Sequence, residues 1–152
     1  MAVVLKQLEQ GAAVTLLSTE LNALANNAGT TSSVGGTAGA FSNVVGTTNM
    51  DGNPRGKIEF KMGGTVTALT AGGSIKVWFL KTVTGYESGT PPVRNPDVVI
   101  PLDALTVAQT VTRECLIPVG SFKIYAQNSA TGQAMPATLN TLSVLLNTDQ
   151  GI

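Results

Sequence analysis

The sequence predicts an all-β chain: an antiparallel β-sandwich, jelly-roll-like, preceded by an N-terminal arm that contains a short helix. Three observations predict it. Several stretches alternate apolar and polar residues with a period of two, the signature of half-buried strands. The composition, with 17 Gly and only 12% charged residues, favours turns and strands over helices. Turn signals separate roughly eight short strand candidates with no strand–helix–strand alternation between them.

Taken in order, Met1–Asn27 stands apart. Val3, Val4, Leu5 and Leu8 precede Gly11 and the run Val14-Thr15-Leu16-Leu17. Ser18 or Thr19 can cap a short helix with Glu20 in its first turn, near the positive end of the dipole. Leu17, Leu21 and Leu24 have helical spacing, and Asn26-Asn27 before Gly29 supplies a stop. A helix this short must dock on something. Two readings stand side by side: it closes one end of the β-domain, or it is an arm gripping a neighbouring subunit. On the second reading Leu5, Leu8, Leu17, Leu21, Leu24 and Phe41 are the candidate partner contacts.

Ala28–Asn53 is a small-residue stretch with six Gly, which by composition resembles a linker. Composition therefore divides the chain into an arm, 1–53, and a sandwich domain, 54–152, able to fold without the arm. Asp51-Gly52-Asn53-Pro54 reads as a turn; it lacks the Asp/Asn ladder and bidentate Glu of a calcium loop.

Within the domain, Gly56–Met62 places Ile58, Phe60 and Met62 inward and Lys57, Glu59 and Lys61 outward. Thr65–Leu69 is a short strand candidate. Ser74–Val83 is β-branched and aromatic, with Ile75, Val77 and Phe79 on one face and Trp78 and Leu80 on the other, so both faces are expected to be covered. Thr84–Asn95 reads as an exposed loop. Pro96–Leu102 is a strand, and Ala104–Ile117 a longer one whose inward set includes Val107, Val111 and Cys115. Val119-Gly120 and Ser129–Gly132 are turns flanking a strand with Phe122, Ile124 and Ala126 inward. A final strand after Asn140 sets Leu142, Val144 and Leu146 on one face.

The totals restrict function. Nine basic and nine acidic residues give net zero charge, against the basic excess of a general nucleic-acid binder. There is no His and one Cys, which removes the common zinc sites, Ser-His-Asp triads and intrachain disulfides. Cys115 reads as a core residue of its strand. Asp97 and Asp103 flank a strand as solvated or capping groups, and the Gly pairs match no phosphate-binding fingerprint. No enzyme and no cofactor are expected. MAVVLKQLEQ lacks the regions of a signal peptide, and no run nears the roughly 18 apolar residues of a membrane helix, so a cytoplasmic product without a membrane partner is expected. Trp78, Tyr86 and Tyr125 offer an aromatic platform for sugar or protein. The competing reading packs Trp78 under Thr84–Asn95, half-buries Tyr125 on a sheet and lays Tyr86 over its own loop.

RGKIEFKM (Arg55–Met62), GGSIKVWFLKTVTGYE (Gly72–Glu87), VIPL (Val99–Leu102) and IPVGSFKIYAQNSATGQAMPATLNTLSVLL (Ile117–Leu146) together resemble a family of small structural proteins of tailed bacteriophages. The matching turn and strand carry Pro118, Gly120, Phe122 and Lys123; the following loop carries Asn128, Thr131, Gly132 and Ala134; the last strand opens with Asn140, Thr141 and Leu142. TLLSTELNALANNA (Thr15–Ala28) is similar to the same group. The resemblance implies a virion component with a β-sandwich domain. With neutral charge and sparse Lys and Glu, the expectation is a non-enzymatic capsid decoration or cement protein bound to the major capsid protein or other virion proteins, as a homo-oligomer. A tail, neck or baseplate component is the alternative within that class. A carbohydrate-binding host-attachment module using Trp78, Tyr86 and Tyr125 is the alternative outside it.

Overall fold

A computed structural model of the chain describes residues 8–32, 41–43, 55–81 and 92–149. Among the described residues the strands are β1 (Leu8–Leu17), β2 (Gly29–Thr31), β3 (Phe41–Asn43), β4 (Arg55–Met62), β5 (Ser74–Lys81), β6 (Val98–Pro101), β7 (Gln109–Leu116), β8 (Gly120–Ser129) and β9 (Thr141–Asp149). They form two antiparallel sheets. One has the order β1-β9-β4-β7; the other has β2-β8-β5-β6, with β3 also paired to β8.

Register follows from alternation. Ile58 and Phe60 of β4 lie opposite Val144 and Leu142 of β9, so the apolar sets of both strands share one face. In the other sheet Val77 and Phe79 lie opposite Ala126 and Ile124. Those two faces meet in one buried core in which Phe60, Phe79, Phe122 and Ile124 are fully enclosed. The Phe79 and Phe122 rings pack edge to face at 5.6 Å. The arrangement is sandwich-like, with almost no helix.

Among the described residues, the short α-helix expected from Ser18 or Thr19 to Asn27 is absent. Leu8–Leu17 is a strand on the edge of β9, and a single 3-10 turn, Thr19–Leu21, follows it. The physical reason is competition for the same leucines. Pairing with β9 satisfies the backbone of β1, and a register shift between Thr15 and Leu17 lets both Leu16 and Leu17 face the core. Ser18 makes no side-chain cap; its N–H donates to Glu20 Oε2 at 3.1 Å. Ala23, at φ 55°, then turns the chain out of any helical path. The low-complexity stretch also contributes β2 and β3, so described residues on both sides of Asn53 share the same sheets. The turn expected at Asp51–Pro54 lies outside the described residues.

Two strand expectations also shift. Thr65–Leu69 is irregular, and β7 begins only at Gln109, leaving Val107 in an exposed turn while Val111 and Cys115 pack against the core. The expected turns are present, with Gly120 at φ +94° and Gly132 at φ +73°. Four turns gather at one end of the molecule, residues 18–28, 63–73, 102–108 and 130–140, because the strands they join end there in register: Leu17 opposite Leu142, Met62 opposite Gln109, Ser74 opposite Ser129 and Pro101.

Candidate functional site

Trp78 and Tyr125 are neighbours across β5 and β8, their rings 5.5 Å apart in an edge arrangement. With Leu80 they form a second small apolar cluster on the face of that sheet opposite the main core. Both faces of β5 are thus covered, as its sequence predicts. Each aromatic is only 3% exposed, so neither presents a ring face to a ligand in solution. Trp78 lies under Pro92–Asp97, its Nε1 donating to the Arg94 carbonyl at 2.9 Å. Tyr125 lies against Gly29, and its burial pushes the phenol pKa up. The expected aromatic platform is an internal packing unit; its third member, Tyr86, lies outside the described residues.

The candidate partner leucines divide similarly. Leu17 and Leu21 are fully buried in this chain's own core, and Leu24 packs half-buried against it. Leu8 and Phe41 are placed by backbone only, on β1 and β3, and Leu5 lies outside the described residues.

What the structure brings together, and sequence reasoning missed, is a polar network joining residues 22–28 to residues 128–140. Asn128, fully buried, donates from Nδ2 to the carbonyls of Leu24 and Gln133, each at 2.9 Å, while its Oδ1 accepts from Thr131 Oγ1 at 2.6 Å. Asn26 Oδ1 accepts from the Gly132 N–H at 3.0 Å, and Asn27 Oδ1 from the Ala130 N–H at 2.9 Å. Asn140 Nδ2 donates to the Pro136 carbonyl at 2.7 Å and to Asn22 Oδ1 at 2.9 Å. Residues 22–28 and 128–140 are therefore stitched together by amide side chains. Their recurrence as Asn was the available signal: Asn and Asp bond local backbone readily and tolerate turn conformations. Only the fold supplies the partners, about a hundred residues away.

Among the described residues, chemistry-bearing groups do not converge. Cys115 is a free, half-buried thiol whose pKa burial pushes up to about 11, so at neutral pH it is a thiol and not the nucleophilic thiolate. Asp97 bonds Arg94 and backbone, and the Asp103 backbone pairs with the Gln109 amide at 3.0 and 3.2 Å. Among the described residues no group of His, Cys, Asp and Glu is arranged to hold a metal ion, and no helix is long and apolar enough to cross a membrane. No family model, curated protein or solved structure matches the chain.

Proposed function

We propose that the chain is a non-enzymatic structural subunit of a tailed-bacteriophage virion, a capsid decoration or cement protein that binds the major capsid protein and stabilises the shell in many copies. The observation that supports this reading is the joining of two segments that carry the resemblance: Thr15–Ala28 and Ile117–Leu146 are bound to each other through Asn26, Asn27, Asn128 and Asn140. Asn128, Thr131, Gly132 and Asn140, which carry part of the resemblance, take part in bracing one end of this fold.

The strand order supports the same reading. With β2 and β3 taken as one interrupted strand, the chain crosses between sheets at every connection except β5–β6, giving two four-stranded sheets. We read that order as the jelly-roll permutation, an architecture shared by viral capsid domains, lectins and cupins. Architecture alone does not select among these; the resemblance does. Net zero charge adds to it, since it favours association over free dispersal.

The test is a cryo-electron microscopy reconstruction of particles made by the phage that encodes the chain. Density for this sandwich distributed over the icosahedral shell is the expected result. Density confined to the tail, neck or baseplate overturns the cement assignment in favour of the other virion position.

A further inference from the structure

Each sheet has two edges, and among the described residues those edges are guarded unequally. The sheet β1-β9-β4-β7 ends at β1 and β7; the other ends at β6 and at β2 with β3. An edge strand presents unpaired N–H and C=O groups that recruit another chain unless it is short, bulged or covered. Strand β1 shifts register on β9 twice, between Gln10 and Ala13 and between Thr15 and Leu17, and bulges twist an edge away from a flat partner. Strands β2 and β3 are three residues each. Strand β6 has four residues and ends at Pro101, and the Phe79 backbone beyond its reach is bonded by the Asp97 and Arg94 side chains.

Strand β7 is neither short, bulged nor covered. Its eight residues pair with β4 in one unbroken register, and no described strand pairs with its other edge. It contains no Pro, Gly or Lys. Thr110, Thr112 and Glu114, on the face away from the core, are exposed. Arg113, on the core side opposite Ile58, reaches solvent at the rim of the sheet and so limits which registers a new strand can take.

We infer that the free edge of β7 is a self-association surface, pairing antiparallel with β7 of a second copy about a two-fold axis and joining the two sheets into one. The inference stands apart from the virion reading, which names no contact between copies. The sequence of β7 selects the second copy as occupant. Opposite residues of an antiparallel pair turn their N–H and C=O groups both toward the partner or both away, and that direction alternates along a strand. A strand pairing with its own copy is therefore centred on a residue. Centres at Arg113 or Glu114 set like charges directly opposite each other, which is destabilising. A centre at Val111 leaves Glu114–Leu116 without strand partners. Thr112 avoids both faults: it faces Thr112 of the second copy, a favourable pair, and Thr110 faces Glu114 of the second copy. Glu114 then lies between its own Lys57, opposite it in β4, and Lys61 of the second copy, which stands opposite that copy's Thr110. Such a two-fold contact closes on itself, and the guarded edges keep it from extending.

The experiment is sedimentation equilibrium of the purified chain from low to high micromolar concentration. Wild type is expected to dimerise, with a melting temperature that rises with concentration. Thr112→Lys sets two cations opposite each other at the centre of the pairing and should weaken the dimer about tenfold or more. Its circular dichroism should stay that of the folded chain, because Thr112 is exposed. Thr15→Lys, exposed on β1, is the control and should dimerise as wild type does. In a Cys115→Ala background a short bismaleimide should join Thr112→Cys copies but not Thr110→Cys copies, whose thiols lie displaced from each other along the strands. Three outcomes would each overturn the inference. They are a wild type that stays monomeric throughout, a Thr112→Lys dimer within twofold of wild type, and crosslinking through Thr110→Cys in preference to Thr112→Cys.

Discussion

Arg94 and Asp97 hold each other at 2.8 Å and between them occupy both hydrogen-bonding groups of Phe79. The Phe79 N–H donates to Asp97 Oδ2 at 2.7 Å, and Arg94 Nη2 donates to the Phe79 carbonyl at 2.8 Å. Strand β6 pairs with β5 only as far as Val77. Beyond it this side-chain pair does what a neighbouring strand would do, blocking an edge that would otherwise recruit another chain.

The pair is about one-third exposed, so its charge interaction contributes little by itself, roughly 0–1 kcal/mol. The backbone bonds matter more. Asp97→Ala is expected to cost about 1–2 kcal/mol in urea unfolding and to raise aggregation on heating. A double-mutant cycle with Arg94→Ala should show coupling, since both residues serve one peptide unit. Additive losses would mean that the two act separately.

Gly29 is required by Tyr125. A Cβ at residue 29 would lie 1.9 Å from the Tyr125 hydroxyl oxygen and 2.3 Å from the ring carbon that bears it. Gly29→Ala is therefore expected to cost roughly 1–3 kcal/mol and to change the near-ultraviolet circular dichroism of the Trp78–Tyr125 pair. Tyr125→Phe should rescue little of that loss, because the ring carbon still clashes.

Asn128 is the centre of the amide network. Asn128→Ala removes one donor from the Leu24 and Gln133 carbonyls and the acceptor of Thr131 Oγ1; the Met135 N–H still reaches the Leu24 carbonyl and Thr131 Oγ1 the Gln133 carbonyl, so the expected loss is about 1–2 kcal/mol. Asn128→Asp should cost more at neutral pH, roughly 3–5 kcal/mol, because a buried carboxylate would face two carbonyls. Burial raises the pKa of such a carboxyl, so the deficit should grow as pH rises above the ordinary carboxylate range and shrink in acid. Chemical denaturation at two pH values separates these outcomes.

Deleting Met1–Asn53 is expected to abolish cooperative unfolding. Composition draws a self-sufficient domain after that point, but the deletion removes β1 from β9 and takes Leu16, Leu17 and Leu21 out of the core. A truncated chain with a sharp calorimetric transition would show that the remaining strands close the core unaided.

Cys115 gives an alkaline signature. Its pKa is 9.0 ordinarily and about 11 in the fold, so the stability tied to the protonated thiol is complete below pH 9.0 and is lost as pH rises through about 11. Wild type should therefore lose stability across that interval more steeply than Cys115→Ala. Equal slopes would show that the thiol is not desolvated.

Strands β4, β5, β8 and β9 were legible because period-two alternation is local: Ile58, Phe60 and Met62, or Phe122, Ile124 and Ala126, declare their face within a few residues. The turns at Gly120 and Gly132 were legible for the same reason, since positive φ selects glycine locally. The segment from Leu17 to Leu24 was not. Its leucines fit a helix and a strand followed by a turn equally well, and the free edge of β9, more than a hundred residues away, decided between them. Burial of Trp78 on the second face of β5 was legible in its apolar run; full burial of Tyr125, expected only half-buried, was not, because it depends on what crosses that face. The sequence by itself determined an all-β domain of a neutral chain; residues 22–28 and 128–140, which are turns in the fold, were not read from it as a pair. Tertiary structure alone decided that those turns join at one end and that Arg94 and Asp97 close the edge of β5, because each bond spans residues that only the packed sheets bring within reach.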